Sequence, residues 1–280
     1  MKTNTFYAKK VLVAFFAVLL PLVASAQTKV EIDGIWYNLI TEAKTAEVTS
    51  SDGTKYSGSI TIPATVTYDG VAYSVTSIGE WAFYYCTSLT AITIPECVTS
   101  IGGEAFAGCS SLTAITIPEN SQLTSIGEGA FYYCSSLTAI TIPESVTSIG
   151  EGAFSGCSSL TAITIPEGVT SIGSFVFDGC SSLTAITCHA VTPPTIDSDT
   201  FQGVDKGIPV YVPAGSVEAY KEAKYWSEFT NYVGIEAGID KSQLTTGSEQ
   251  LTIYDLRGRR VDNPVKGGIY IVGGKKVIIK

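Results

Sequence analysis

The sequence predicts a β-rich α/β solenoid: a stack of about 23-residue rungs with caps at both ends and a small β module after them. Two observations lead there. The phrase Cys-Ser-Ser-Leu-Thr-Ala-Ile-Thr-Ile-Pro recurs almost letter for letter from Cys86, Cys109, Cys134, Cys157 and Cys180. Apolar residues keep constant offsets in every copy, so each copy is one rung that cannot bury its own hydrophobic face and must stack on its neighbours. Identical rungs present ladders of one side chain, whereas a catalytic pocket needs different groups converging on a point. The chain therefore reads as a binding surface.

The first 26 residues place Lys2, Lys9 and Lys10 ahead of an apolar run from Val11 to Val23 and end in Ala24-Ser25-Ala26. That is a signal-peptide pattern, with cleavage expected between Ala26 and Gln27. The run is 13 residues, short of the ~20 a helix needs to cross a bilayer. Gln27 offers no thiol for a lipid anchor, so an exported protein with no membrane insertion is expected.

Processing removes three of 17 basic residues and none of 26 acidic ones, which leaves 14 against 26, a net charge of −12. No Lys or Arg stands between Lys55 and Lys206. Nucleic-acid binding needs cations to displace counterions from phosphate, so this stretch should repel DNA and RNA. From Gly238 onward the sign reverses, eight basic residues opposing four acidic ones. The shift suggests a separate C-terminal module.

Within the rung from Cys157, Leu160, Ile163 and Ile165 stand at the L-x-x-L-x-L spacing of a leucine-rich-repeat strand. Alternation points Ile163 and Ile165 inward and Ala162 and Thr164 outward. Pro166 lacks an N–H and ends the strand. Val169 and Ile172 return across the core, and Gly173 turns the chain. Residues 150–157 are too short for a stable helix and read as a turn or one helical turn. Phe83, Phe106, Phe131, Phe154 and Phe177 are expected to stack as an aromatic spine away from the strands.

Seven cysteines in an exported chain raise the question of disulfides. Rungs roughly 5 Å apart leave both bridged and free forms open. An odd count and a uniform inward ladder favour free thiols that pack as small hydrophobes. Cys97 and Cys188 lie off the ladder and are the readier exceptions.

The rung C-x-x-L-x-x-I-x-I-P-x-x-V-x-x-I-G-x-x-A-F resembles that of the BspA-like leucine-rich repeat family of bacterial surface proteins. The match runs over residues 58–188 with one two-residue insertion at Glu119-Asn120-Ser121-Gln122. Residues 34–38 and 63–73 look like the family's N-terminal segment, where a hairpin would cover the first rung. Thr192-Pro-Pro194, Val212-Pro-Ala-Gly-Ser216, Tyr220 and Trp226 look like its closing segment. Capping is needed because an end rung exposes strand edges and core. Residues 253–261, 268–272 and 275–280 look like the end of a type IX secretion sorting domain. The expected organisation is a signal peptide (1–26), N-terminal cap (27–57), leucine-rich repeats (58–188), C-terminal cap (189–236) and a β, sorting-like module (237–280). The resemblance implies adhesion, because family members attach to host matrix proteins and other bacteria.

Enzyme chemistry is poorly supplied. The one histidine, His189, adjoins Cys188, but neighbours on a strand face opposite ways, which argues against a Cys-His nucleophile. No C-x-x-C or H-x-x-x-H spacing occurs, so no metal is predicted, and nothing calls for a cofactor. Two carboxylate columns, Glu96, Glu119, Glu144, Glu167 and Glu80, Glu104, Glu128, Glu151, read as a solvated face rather than a calcium site.

Two sets of residues are candidates for ligand binding. Thr93, Thr116, Thr141, Thr164 and Thr187, flanked by Ala, form an outward ladder that is either a solvated sheet or a docking face for an extended partner. Tyr84, Tyr85, Tyr132 and Tyr133 replace the small residues of other rungs and suit either an interface or local packing. The expected function is a non-enzymatic adhesin-like solenoid at the cell surface or outside the cell, recognising an extended extracellular protein or glycan. The alternative is a structural spacer without a specific ligand.

Overall fold

The structure, a computed structural model, describes residues 27–53, 55–239, 252–256, 259–262, 264, 268–272 and 275–279. The expected signal peptide, Ala26 included, lies outside the described residues, as do parts of the expected sorting-like module. Gln27 opens the first strand.

Strands β1 (Gln27–Ile32), β2 (Ile35–Ile40) and β3 (Thr45–Thr49) form an antiparallel meander. Its first turn is Asp33-Gly34, both at positive φ, which matches the twist of a two-residue hairpin. Strands β4 (Ser57–Thr61), β5 (Thr65–Tyr68) and β6 (Val71–Ile78) follow, the last two joined by a second positive-φ pair, Asp69-Gly70. β6 then pairs parallel with β3, so the meander runs directly into the stack.

Each rung has three sides, and each side is tied to the next rung by backbone hydrogen bonds. The first side carries β7 (Ser88–Thr93), β9 (Ala114–Thr116), β12 (Ala162–Ile165) and β13 (Ala185–Cys188). The second carries the two-residue strands β8 (Ser100–Ile101), β10 (Ser125–Ile126) and β11 (Ser148–Ile149), in parallel register with β6. The third is a turn around the phenylalanines, where Phe106 N–H donates to Ala130 O at 2.8 Å and Phe131 N–H to Ala153 O at 2.8 Å. No rung contains an α-helix among the described residues; α1 (Val217–Glu222) lies in the closing segment. There β14 (Pro209–Pro213) and β15 (Asn231–Ile239) extend the first side beyond β13. β16 (Ile253–Tyr254), β17 (Ile269–Val272) and β18 (Lys275–Ile279) then join the same sheet through parallel pairing of β15 with β18. Trp226 and Tyr220 are buried across this end, donating to Pro194 O and Ala190 O, both at 2.8 Å.

The core holds what the alternation predicted. Leu160, Ile163 and Ile165 are buried, and the five phenylalanines stack with centroids 4.9, 5.2, 5.3 and 5.7 Å apart. Tyr56 extends the spine at one end and Phe201 at the other. The cysteines are free, and those on the ladder are buried. They do more than fill space: Cys109 Sγ donates to Phe83 O at 3.0 Å, and Cys134, Cys157 and Cys180 repeat the contact one rung on at 3.2 Å. A thiol is a weak donor, and here it adds a second hydrogen bond to a phenylalanine carbonyl that already accepts the N–H of the cysteine three residues on. Cys97, off the ladder, donates to Val75 O at 3.1 Å.

Two expectations need correction. The first-side sheet is not continuous: β4-β7-β9 form one sheet and β12-β13-β14-β15 belong to another, with no strand at 137–143 between them. The break falls just after the one rung of 25 residues, from Cys109 to Cys134. Its second side stays in register, Ser125 opposite both Ser100 and Ser148, so the slack from the two inserted residues is taken up on the first side.

The glycine after each second-side isoleucine also serves a purpose other than turning. Gly102, Gly127 and Gly150 have no positive φ, yet a Cβ on Gly150 would stand 2.5 Å from Glu128 N and 2.7 Å from Gly127 C. These glycines are needed because backbone meets backbone, and no side-chain rotation relieves the clash. Gly150→Ala is expected to destabilise by about 1–3 kcal/mol, read as a lower urea midpoint at unchanged m-value. Gly103→Ala, whose nearest neighbour would be Glu128 O at 3.5 Å, is the tolerated control. Equal stability of the two variants would show that the rungs slide apart freely at this corner.

Candidate functional site

The third side sets its own backbone rule. Each turn holds two left-handed residues four positions apart: Trp81 and Tyr85, Glu104 and Gly108, Gly129 and Tyr133, Gly152 and Gly156, Phe175 and Gly179. The conformation follows from rung-to-rung hydrogen bonding, because the second residue of each pair donates to the next rung. Tyr85 N–H reaches Ala107 O, Gly108 N–H reaches Tyr132 O, and Tyr133 N–H reaches Ser155 O, at 2.7–2.8 Å. Glycine adopts this region at no steric cost, while an L side chain there costs about 1–2 kcal/mol. Trp81, Tyr85, Tyr133 and Phe175 bear that cost and still point outward, Tyr85 and Tyr133 at 56% exposure each.

Each tyrosine ring lies over the glycine of the following rung. A Cβ on Gly108 would meet the Tyr85 ring at 3.0–3.1 Å, and one on Gly156 would meet Tyr133 at 3.0–3.2 Å. Aromatic and glycine therefore alternate along the stack. Beside each sits a second exposed ring, Tyr84 at 4.7 Å from Tyr85 and Tyr132 at 4.4 Å from Tyr133, both edge-on. Tyr84, Tyr85 and Tyr132 line an open groove of about 430 Å³ together with Phe175, Glu104, Glu128, Glu151 and Asp178. Desolvation, then the neighbouring Tyr133, Tyr85 and Asp178, holds the Tyr132 hydroxyl above its usual pKa. Three of the four expected tyrosines are thus brought to one groove, and Tyr133 stands edge-on behind Tyr132.

The sequence misplaced one acid in this groove. Glu80, Glu128 and Glu151 stand three residues before their phenylalanine, but Glu104 stands two before Phe106, at a left-handed position that Gly129 and Gly152 hold elsewhere. The column of four is therefore a column of three with Gly103 in the gap.

The threonine ladder is less uniform than expected. Thr116 and Thr141 are exposed, Thr93 and Thr164 half-buried, and Thr187 is 8% exposed. Thr187 loses its solvent face because β14 continues the sheet there, placing Tyr211 opposite it. The break at 137–143 interrupts the ladder as well. The five threonines do not form one flat exposed array.

Cys188 and His189 diverge, as alternation requires. The Tyr220 hydroxyl bonds Cys188 Sγ at 3.1 Å, whereas His189 Nδ1 lies 2.9 Å from Glu144 Oε1. Glu144 also accepts from Glu167 N–H at 3.3 Å, and Asn120 donates to Glu96. Two carboxylates of the Glu96, Glu119, Glu144, Glu167 column, Glu96 and Glu144, are therefore hydrogen-bonded into the surface rather than simply solvated. Among the described residues no cluster of His, Cys, Asp and Glu is arranged to hold a metal ion, and no helix is long and apolar enough to cross a membrane.

A search of curated protein sequences finds no match. Residues 76–208 match, in six copies, the BspA type leucine rich repeat region. Among solved structures, the chain is similar to a leucine rich cell surface protein from Faecalibacterium prausnitzii A2-165, at 28% identity and a TM-score of 0.55 over 84% of this chain and 60% of that one. It is also similar to the pneumococcal vaccine antigen PcpA, at 26% identity and a TM-score of 0.56 over 68% of this chain and 51% of that one. A leucine rich repeat protein of T. pallidum shares the fold, at 24% identity and a TM-score of 0.51 over 76% and 87% of the two chains. The chain thus spans between half and two thirds of the first and second of these proteins. Residues 76–208, a little under half of the chain, match the BspA type leucine rich repeat region, and the stacked rungs and ladder cysteines give the chain the fold of the bacterial leucine rich repeat proteins to which it is similar.

Proposed function

We propose that this is a non-enzymatic, exported binding protein of the cell surface, adhesin-like in role, whose repeat block recognises an extended extracellular protein or glycan. One observation carries the reading: aromatic residues stand exposed on the third side at left-handed positions where glycine would be unstrained. Backbone strain of this kind persists where the surrounding structure imposes it and something else rewards it. Exposed tyrosine and tryptophan are the side chains that supply contact area at low entropic cost in recognition surfaces. Export is proposed from Lys2, Lys9 and Lys10, the apolar run and the Ala26-Gln27 junction, with the sorting-like C-terminal segment as the signal for surface delivery. Neither a cofactor nor nucleic acid is expected, given the unbroken absence of Lys and Arg between residues 55 and 206.

The test is binding of labelled matrix proteins and mucin glycans to residues 27–280, beside two variants. One changes Thr93, Thr116, Thr141, Thr164 and Thr187 to Lys; the other changes Tyr85 and Tyr133 to Gly. Binding that survives the lysines and falls with the glycines is the expected result. Binding lost only with the lysines would move the site to the first side, and no binding by any form would leave the spacer reading.

A further inference from the structure

The third-side groove also has a charge that its aromatics alone do not explain. Glu104, Glu128, Glu151 and Asp178 come from four successive rungs and meet along one surface. None of the four makes an ion pair with a Lys or Arg among the described residues. The rungs carry no cation with which to neutralise them, since Lys55 and Lys206 are the nearest in sequence on either side. The one ammonium at the groove's edge shows how a cation sits there. Lys55 Nζ donates to Tyr84 O at 2.7 Å and stands 5.9 Å from the centre of the Tyr84 ring.

We propose that this groove binds an extended polypeptide segment bearing arginine or lysine, with Tyr84, Tyr85 and Tyr132 as stacking platforms, Tyr133 bracing Tyr132 edge-on, and Glu104, Glu128, Glu151 and Asp178 as counter-charges. The inference rests on the binding-protein reading above and names the partner's chemistry. A guanidinium suits both halves of the site, because it stacks on aromatic faces and pairs bidentately with carboxylate. Cations over tyrosine rings gain further from the ring quadrupole. The geometry also favours an extended segment over a single ion. The tyrosine pairs lie two rungs apart, which at about 4.8 Å per rung is close to 10 Å. A polyproline-type segment brings every third side chain back to one face after about 9 Å. Side chains at that interval meet the tyrosines of both rungs, with Glu104 between them, Glu128 beside the second, and Glu151 and Asp178 continuing the path one and two rungs beyond. A neutral glycan would find the rings but leave the charges without a partner, which is why the charged polypeptide is favoured.

The experiment titrates residues 27–280 with three probes, followed by calorimetry: a proline-rich dodecapeptide with arginine at every third position, the same peptide with citrulline for arginine, and a neutral chito-oligosaccharide. Citrulline keeps the shape and removes the charge. Expected are binding of the arginine peptide, at least tenfold weaker binding of the citrulline peptide, and affinity that falls steeply as salt is raised. Tyr85→Gly/Tyr133→Gly places at both positions the residue that Gly108, Gly156 and Gly179 already hold, so folding is retained while affinity drops at least tenfold. Glu128→Gln/Glu151→Gln/Asp178→Asn, which leaves only Glu104 charged in the groove, should flatten most of the salt dependence. Equal affinity of the two peptides, unchanged binding by the glycine variant, no binding of the arginine peptide, or binding of the oligosaccharide alone would each overturn the proposal. If matrix proteins or mucin bind the wild type and the glycine variant alike, the adhesin-like function stands and this groove is not its site.

Discussion

Phe131→Ala is expected to cost about 3–5 kcal/mol, among the largest losses available to a single truncation in this chain. Phe131 is fully buried and stacked on both faces, 5.2 Å from Phe106 and 5.3 Å from Phe154. Removing its ring leaves a cavity that neither neighbour fills without leaving its own stack. Stability in a solenoid is approximately a sum of rung and nearest-neighbour interface terms, so one central truncation weakens two interfaces at once. Urea unfolding should show the loss, and hydrogen exchange should place it in the rungs on either side of residue 131. Phe131→Leu retains most of the volume and should recover more than half of it. Combined with Phe154→Ala, the effect should fall short of the sum, because the two rings share one contact. A loss under 1 kcal/mol, or full additivity, would show that the spine is a row of independent residues rather than a coupled column.

That column was legible before any coordinates, and the reason is the repeat itself. A residue recurring at a fixed offset must occupy an equivalent place, so Phe83 to Phe177 predicted one another, as did the inward Leu and Ile positions. What escaped was whatever differs between rungs. The break at 137–143 arises from two extra residues a full side away, and only the paired registers show which side absorbs them. The glycines of the second side were seen, but their cause is that a Cβ there would stand 2.5–2.9 Å from the previous rung's backbone, a clash no spacing encodes. The ladder thiols were read as inert filler, whereas they donate to phenylalanine carbonyls one rung away.

The site was legible in half. The four tyrosines stood out as departures from the repeat, yet their meaning lay in what they depart from. Aligning Tyr85 and Tyr133 with Gly108, Gly156 and Gly179 would have signalled a left-handed position occupied at a cost. Trp81 and Phe175, aligned with Gly129 and Gly152, carry the same signal and were passed over. The threonine ladder misled for the opposite reason. Perfect repetition suggested a uniform face, but burial depends on what is added at the ends, and the closing strand covers Thr187.

The second large effect is alkaline collapse. Burial pushes the thiols of Cys109 and Cys180 up to about 12 and raises those of Cys86, Cys134, Cys157 and Cys188 from an ordinary value of 9.0. Desolvation is the leading cause in every case, reinforced at Cys109, Cys134 and Cys157 by the neighbouring thiols of the ladder. A group whose folded pKa is raised stabilises the fold fully below its unfolded pKa, and that stabilisation is lost as pH climbs toward the folded value. The loss thus begins near pH 9. By pH 10 Cys109 and Cys180 have each forfeited about 1.4 kcal/mol and the other raised thiols add to the loss, against a whole stability of about 5–15 kcal/mol for a typical domain. Circular dichroism at constant temperature should show cooperative unfolding between about pH 9 and 11, followed by the buried Tyr56, which burial pushes up to about 12. Cys134→Ala/Cys157→Ala, although it sacrifices two thiol-to-carbonyl bonds, should move that midpoint upward because two titrating groups are gone. The same burial keeps thiolate scarce at neutral pH, which slows oxidation of the six buried cysteines. Ellman's reagent at pH 8 should therefore find at most Cys97 in the native protein and all seven after denaturation; stability that stays flat to pH 10.5, or a denatured count well below seven, would mean the ladder is bridged.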